Sequence, residues 1–415
     1  MHCNNPQTLT DWQRFFLTNH NKSIDLGLDR IRQVAFQLDV LGFDCPVIML
    51  TGTNGKGSCA TTLESIYIAA GYKVGIFTSP FLLRFNEQVR VNGKEVTDQA
   101  LGDAFTTINQ QRQDIPLTAF EFLTLAALKI FKQNELDVII LEVGMGGRRD
   151  AVNIIDADVA IITNVAMDHQ NWLGAAREAI AAEKVGILRQ GKPVIFGESN
   201  LPQALIDKVS TLQTPLFIQG KDFTYRVGER SFSWQYHTQS YRKLPLPKLA
   251  ISNVSIALMA IQLLQNRLPV TQDALQNGIV AAKLVGRMHI VSKPIMQIFD
   301  VAHNPAAAKF LACNLEKYQC RGKTSAIFSM FKDKDIVNTI LPLTKIVDIW
   351  YIAPLQHERA ASIKQLALAL QRANIQDTYK FLTVKDAYLA SLANSTINDR
   401  VIIYGSFRTV AEILT

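Results

Sequence analysis

The run Thr51–Ser58, TGTNGKGS, holds the residue types that bind a nucleotide's phosphates. Gly52, Gly55 and Gly57 let the backbone approach an anion and take positive φ. Main-chain N–H groups of such a turn, Thr53 and Asn54 included, form an anion site together with the N-terminus of a following helix. Lys56 supplies a positive charge for the terminal phosphates, and Ser58 a hydroxyl for a magnesium ion. The run departs from the strict phosphate-loop pattern. Gly57 separates Gly-Lys from Ser58, and Leu50 stands five residues before Gly55 where the pattern has glycine. A plain turn competes with this reading, but three glycines with lysine and serine between a strand and a helix favour phosphate binding.

Other residues of chemical interest follow apolar runs. Asp137–Val143, DVIILEV, carries Glu142 near its end and leads into GMGGRRDAVN. In open α/β sheets, ligands sit beyond the carboxyl ends of strands, so Glu142 is placed to serve magnesium or a catalytic water. Gly144, Gly146 and Gly147 allow a tight turn, and Asp150 follows it. His169 falls in the loop of TNVAMDHQNWLG, beyond the next strand, where a metal role is open to it. Lys184, in AAEKVGI, also fits a surface lysine with its stem laid along the helix. FDVAHNP places Asp300, His303 and Asn304 at a strand-to-helix turn, where Asn304 also fits a helix cap ahead of Pro305. Arg287, in LVGRMH, is a long cation able to reach a phosphate.

These residues need a scaffold that brings strand ends together. Ile24, Leu28, Ile31, Val34 and Leu38 recur at helical spacing and predict helix through Leu9–Leu41. Strands are expected at Val47–Leu50, Lys73–Phe77, Asp137–Val143, Asp158–Thr163 and Pro193–Phe196. Helices are expected from Cys59, over Leu117–Phe131 and over Ala175–Leu188. Such alternation implies a parallel sheet with helices on both faces. Phe223–Tyr241 alternates and is rich in aromatics, which predicts a hairpin appended to the sheet and ended by LPLP. Helices over Asn253–Leu264 and near Ala274 complete the first domain. A second series follows: strands at Met296–Phe299, Thr324–Phe328, Ile346–Ile352 and Val401–Tyr404, with helices at Pro305–Tyr318 and Ile363–Leu370. The fold class is therefore α/β: an N-terminal P-loop domain with a mostly parallel sheet, residues 1–287, and a smaller C-terminal Rossmann-like domain, residues 288–415. The boundary falls between Gly286 and Lys293.

The 415 residues exceed one ordinary core, and with 48% hydrophobic and 19% charged residues the chain can bury two. The formal charge of +7 suits anionic ligands. No basic block with interleaved aromatics is present, so nucleic acid is not expected. Cys3, Cys45, Cys59, Cys313 and Cys320 show no C-x-x-C spacing and an odd count, which fits a reducing cytoplasm. The polar start MHCNNPQTLTDW has no apolar signal core, and no run approaches a membrane span, so no membrane partner is expected.

The ordered motifs IDLGLDR, TGTNGKGS, SPFLLRFNEQVRVNG, LEVGMGGRRDAVN, MDHQNWLG, EKVGI, VGRM, FDVAHNP, KDKD and GSFRTV span nearly the whole chain. In this the sequence resembles the bifunctional dihydrofolate synthase/folylpolyglutamate synthase family of the Mur ligase superfamily. The resemblance implies an ATP-dependent ligase in which a pteroate or folate carboxylate becomes an acyl phosphate that the amine of L-glutamate attacks. It implies ATP and two Mg2+ ions, with dihydropteroate, reduced folates and L-glutamate as partners, and a monomer. It gives Lys56 the β/γ-phosphates, one magnesium ion to Ser58, Ser79 and Glu142, and the second to Glu142, His169 and Lys184, the lysine carbamylated. Asn253, Arg287 and Asp300 would contact the nucleotide, Asp300 at the ribose. Arg84, Thr118, Phe120, Asp150 and Ala151 match substrate positions, and His303 and Ser406 match motifs of the second domain. Phe81, Arg149 and Arg408 depart from the usual pattern on the substrate side.

Two other classes share parts of this logic. A Mur-type ligase acting on a cell-wall nucleotide precursor usually carries a further N-terminal substrate domain, and only the stretch before Val47 precedes the loop here. A P-loop switch protein reads guanine with Asn-Lys-x-Asp, which is not found in the sequence.

Overall fold

The computed structural model describes residues 6–20, 22, 24–174, 176–292 and 294–415. Cys3, Ala175 and Lys293, named above for the cysteine count, a helix start and the domain boundary, lie outside them. The chain divides into two units: Met1–Val165 with Gln170–Lys283, and Ala166–His169 with Leu284–Thr415.

The first unit is built on β1 (Val47–Thr51), β2 (Val74–Phe77), β3 (Val89–Val91), β4 (Lys94–Glu95), β5 (Val138–Glu142), β6 (Val159–Ile162), β7 (Val194–Phe196) and β8 (Leu216–Ile218). They form one sheet in the order β4-β3-β2-β5-β1-β6-β7-β8. β3 pairs antiparallel with both β2 and β4 at one edge, and the other described pairings are parallel. VIMLT and VIILE are buried at every position, as strands covered on both faces must be. Met49 and Leu141 face one core and Ile48, Leu50 and Ile140 the other.

Among the described residues ten α-helices accompany the first unit: α1 (Leu9–Asn19), α2 (Asp29–Gln37), α3 (Lys56–Ala69), α4 (Asp98–Gln111), α5 (Ala119–Lys132), α6 (Gln170–Leu173), α7 (Arg177–Lys184), α8 (Gln203–Leu212), α9 (Ile251–Leu264) and α10 (Gln272–Ala281). Residues of α1, α2, α4 and α5 pack into the first core, and those of α3, α9 and α10 into the second. Trp12 fixes α1 in place against Phe105 of α4, ring centroids 5.5 Å apart.

Three expectations are corrected. Leu9–Leu41 is two helices, not one. Between them the Asp25 carboxylate takes Arg30 at 2.8 Å and Lys22 at 3.4 Å, a local polar arrangement that competes with helix. The helix expected to reach Leu188 ends at Lys184 and tightens into a 3-10 turn, Val185–Ile187. The predicted hairpin is a separate sheet of three antiparallel strands, β9 (Phe223–Val227), β10 (Ser231–Tyr236) and β11 (Gln239–Pro245). It packs on α9, where Trp234 Nε1 donates to the Ser255 carbonyl at 3.2 Å. Pro245 is tolerated because β11 is an edge strand.

The second unit has β12 (His289–Val291), β13 (Met296–Phe299), β14 (Thr324–Phe328), β15 (Ile349–Ile352), β16 (Thr378–Lys380) and β17 (Arg400–Tyr404) in the order β12-β13-β17-β14-β15-β16. Among the described residues only the β12–β13 pairing of this sheet is antiparallel. Its helices are α11 (Pro305–Leu315), α12 (Ile336–Ile340), α13 (Ile363–Arg372), α14 (Val384–Ala393) and α15 (Phe407–Leu414). The fold is thus α/β with two mostly parallel sheets, as the alternation implied.

Candidate active site

β1 stands between β5 and β6, so the carboxyl ends of all three emerge side by side. The glycine-rich turn leaves β1 at this point, and its backbone is tied to the end of β6. Thr163 Oγ1 donates to the Asn54 carbonyl at 2.6 Å. Asn164 accepts from the Asn54 N–H at 2.9 Å and donates to its carbonyl at 3.0 Å, while the Thr53 N–H reaches the Asn164 carbonyl at 3.1 Å. Gly55 precedes α3 with φ +85 and gives that helix no side-chain cap. A Cβ on Gly55 would lie 2.5 Å from Asn253 Oδ1, so only glycine lets α9 approach this closely. Gly52, Gly57 and Ser58 complete the turn and first helical residues, with Ser58 buried. Lys56 is the first residue of α3 and not a loop residue. Its Nζ donates to the Gly52 carbonyl at 3.0 Å, which folds the ammonium back over the turn. A helix start left open by its cap, with a lysine beside it, suits an anion.

Glu142 closes β5 in register with Leu50 and is buried. Its Oε2 accepts from the Ser79 N–H at 3.3 Å, so these two predicted residues are brought together. Lys184 is only 3% exposed, which removes the surface-lysine reading. It sits at the end of α7, where the Arg148 N–H donates to the Glu183 carbonyl at 2.8 Å and the Arg148 guanidinium pairs with the Glu183 carboxylate at 2.6 Å. His169 belongs by its contacts to the second unit, has φ +50, and keeps its side chain 41% exposed. No group of three His, Cys, Asp or Glu side chains poised for a metal occurs among the described residues. The donor set still fits magnesium, which is held by one or two carboxylates plus water and substrate phosphates in place of an all-protein cage.

The predicted acceptor residues share one wall in part. Phe120 lies over the turn after β5: a Cβ on Gly144 would come within 2.6 Å of its Cζ. The same turn is closed by Asp150, which accepts from the N–H groups of Met145 at 2.9 Å and Val152 at 3.1 Å. Burial pushes the Asp150 carboxyl up to about 6, although those N–H groups and the Lys56 charge oppose the rise. Ala151 follows, also buried. Thr118 caps α5, with its hydroxyl 2.8 Å from Glu121 in a capping box. Arg84 lies apart from this wall. It is exposed, and its guanidinium is 3.5 Å from Asp98. Of the three unusual residues, Phe81 packs edge-on to Phe85 at 5.6 Å, Arg149 lies 3.6 Å from Glu183, and Arg408 is exposed.

In the second unit the turn after β13 gathers several predicted residues. Asp300 accepts from the N–H groups of Met288 and Ala302, each at 2.9 Å. Burial raises its pKa, against the pull of Arg287 and those hydrogen bonds. The Arg287 guanidinium lies 5.5 Å from the Phe407 ring and the His303 imidazole 5.9 Å from the same ring. Ser406, beside Phe407, caps α15 by accepting from the Thr409 N–H at 3.0 Å. Asn304 caps α11 as its pattern suggested, with Pro305 as the first helical residue.

Sequence reasoning passed over four residues. Thr163 and Asn164 brace the glycine-rich turn, and their only sequence signal was their place after an apolar strand. Asp168 and Lys334 form a buried ion pair, with His303 Nε2 3.5 Å and Asn304 Nδ2 3.2 Å from the same carboxylate. Burial alone would push the Asp168 carboxyl up. The His303 hydrogen bond and the charges of Lys334, His169 and His303 outweigh it and hold it well below the usual carboxylate range. Both residues lie in motifs noted above, MDHQNWLG and KDKD, but nothing in either motif says that they meet.

Comparison with known proteins bears on the whole chain. Residues 50–268 match the Mur ligase middle domain, and residues 286–407 match the Mur ligase, glutamate ligase domain. The dihydrofolate synthase/folylpolyglutamate synthase of Escherichia coli (strain K12) is 42% identical over 98% of this chain and 94% of that protein. The one from Haemophilus influenzae is 38% identical over 97% of this chain and 96% of that protein. Among solved structures, E. coli FolC in complex with DHPP and ADP superposes with a TM-score of 0.94 at 42% identity, covering 99% of this chain and 98% of that one. A bifunctional folylpolyglutamate synthase/dihydrofolate synthase with Mn, AMPPNP and L-glutamate bound gives 0.93 at 40% identity, covering 100% and 99%. With both domains matched and the likeness running end to end, this chain belongs to the dihydrofolate synthase/folylpolyglutamate synthase family, ATP-dependent glutamate ligases of the Mur ligase type.

Proposed function

We propose that the chain joins L-glutamate to dihydropteroate and to reduced folates at the expense of ATP. One observation carries the reading. The open, glycine-capped start of α3 lies where β1, β5 and β6 end together, with Glu142 buried at the end of β5. A carboxylate oxygen of the acceptor attacks the γ-phosphorus of ATP, and ADP leaves. The amine of L-glutamate then attacks the acyl carbon, inorganic phosphate leaves, and an amide remains. Gly55 and Gly57 offer backbone N–H groups to the phosphates, Gly52, Thr53 and Asn54 shape the turn with the Thr53 and Asn54 N–H groups committed to Asn164, and Lys56 holds the β/γ-phosphates in line. Asn253, Arg287 and Asp300 bind the rest of the nucleotide. Thr118, Phe120, Asp150, Ala151 and Arg84 receive the pterin acid, and His303 and Ser406 serve the glutamate side.

Ser58, Ser79, Glu142, His169 and Lys184 would hold two divalent ions, with Lys184 as a carbamate. Such ions neutralise charge on the transferring phosphoryl group. The E. coli relative bound to DHPP and ADP, and the relative bound to Mn, AMPPNP and L-glutamate, support a nucleotide, a divalent metal, a pterin acid and L-glutamate as ligands. The enzyme works as a monomer in the cytoplasm. Cys45, Cys59, Cys313 and Cys320 are free thiols, and no helix among the described residues is long and apolar enough to cross a membrane. Protein supplied with ATP, magnesium and dihydropteroate should release ADP and phosphate only when L-glutamate is added. If neither dihydropteroate nor any reduced folate supports that release, the proposal fails.

A further inference from the structure

Asp168 occupies a place in the second unit that the reaction scheme above leaves without a role. Three donors and one imidazole converge on its two oxygens. Oδ1 takes the His169 backbone N–H at 2.8 Å and the Lys334 ammonium. Oδ2 takes Asn304 Nδ2 at 3.2 Å and faces His303 Nε2 at 3.5 Å. The carboxylate is 6% exposed and the Lys334 side chain 9%, so the pair lies away from bulk water, where charge-assisted bonds are strong and costly to break.

We propose that Asp168 is a positioning residue for the L-glutamate half of the reaction, fixing His303 and Lys334 through a latch that Asn304 closes. The proposal rests on the ligase reading above. His303 Nδ1 lies 2.8 Å from the Val301 carbonyl, which only accepts, so Nδ1 carries a hydrogen and Nε2 is turned toward Asp168. The ring is thereby held at Nδ1, with Nε2 set against Asp168, beside Phe407 and next to the Ser406 cap. Asn304 explains why this helix start carries asparagine. Its Oδ1 accepts from the Ala307 N–H at 2.9 Å, the ordinary cap bond, while its Nδ2 reaches Asp168. Serine, threonine or aspartate would cap α11 as well, but aspartate has no donor, and the serine or threonine hydroxyl sits one bond nearer the backbone than the asparagine amide nitrogen that reaches the carboxylate. His169 rides on the same anchor through its own backbone N–H, so the latch also sets the start of the following segment.

The test uses two substitutions that keep the cap. Asn304→Asp turns a second carboxylate toward Asp168; Asn304→Ser takes away the amide donor and leaves a shorter side chain. The expected result for Asn304→Asp is a fall of about 100-fold in kcat/KM for L-glutamate, with KM for ATP within about twofold of wild type. Asn304→Ser should lose about fivefold in the same parameter. The thermal midpoint of both should stay within about 4 °C of wild type, because the cap survives. The His303 ring nitrogens, followed by 15N NMR in the absence of substrates, should shift in Asn304→Asp. Retention of L-glutamate kinetics within twofold, or equal losses for ATP and L-glutamate, would overturn the latch. Unchanged ring signals would overturn it too, and this readout stands even if wild-type protein shows no glutamate-dependent turnover, an outcome that counts against the ligase reading alone.

Discussion

The turns that start α3 and α11 invite comparison. Each leaves a strand of a mostly parallel sheet, β1 or β13, at its carboxyl end and leads through a short turn into a helix. The first is finished with Gly55 at φ +85 and no side-chain cap, so the first-turn N–H groups face outward with no cap side chain over them. The second is finished with Asn304, whose side chain takes the Ala307 N–H, and with Pro305, which has no N–H to offer. One helix start carries no side-chain cap, and the other is closed by the protein. The buried acids nearby follow the same division. Asp150 has backbone N–H partners and a pKa pushed up to about 6, whereas Asp168 has ammonium, imidazole and amide donors and is held well below the usual carboxylate range. Strand–turn–helix geometry alone therefore does not make an anion site; the cap residue decides.

The largest expected effect tests the open turn. Lys56→Ala removes the charge folded over that turn while placing a strong helix former at the first position of α3. Turnover should fall by about 10²- to 10³-fold, and the far-UV spectrum and thermal midpoint should hardly change. Activity close to wild type would show that the open helix start binds its anion without the lysine, and would weaken the distinction drawn between the two turns.

Much of this division was legible in the residues. TGTNGKGS between an apolar run and a helix announces the open turn, and Asn304-Pro305 announces the closed one, because glycine, asparagine and proline have local backbone consequences. The buried strands were equally plain: DVIILEV and DVAIIT can only be central. What sequence spacing could not convey was long-range pairing. Asp168 meets Lys334 across 166 residues of chain, and Thr163 holds the Asn54 carbonyl across 109. The third strand of the aromatic sheet was missed for a related reason. QSYRKLP is polar and ends in proline, and it becomes a strand only because Phe232 and Trp234 of β10 offer it an edge. Lys184 misled in the opposite sense: helical periodicity let it sit at the surface, but the packing of the GGRRD turn on the end of α7 buries it.

An intermediate effect separates the two buried acids. The Asp150 carboxyl binds its proton more tightly in the native state, with a pKa of about 6, than in the unfolded chain, near 3.8. Its contribution is therefore fully present below about pH 4 and is lost as pH rises through 6, a change of about 3 kcal/mol at most. Asp150→Asn cannot ionise, so its unfolding free energy in urea should fall less than that of wild type between pH 4 and pH 7. Equal pH slopes for the two proteins would mean that the backbone N–H groups stabilise the carboxylate as well as cations do elsewhere, and the contrast with Asp168 would lose its electrostatic basis.

The smallest effect probes the closed turn itself. Pro305 contributes in two ways: its ring sets φ near the helical value before folding, and it withholds an N–H from the helix start. Pro305→Ala restores that N–H and frees the unfolded backbone, which should lower the unfolding free energy by about 0.5–1 kcal/mol, read as a shift of the urea midpoint at constant slope. The new N–H points from a helix start that Asn304 still caps. Inorganic phosphate or ATP should accordingly protect the variant against urea no more than it protects wild type. Extra protection in the variant would show that proline, and not the asparagine cap, keeps anions off α11, and that a single missing N–H is enough to tell the two turns apart.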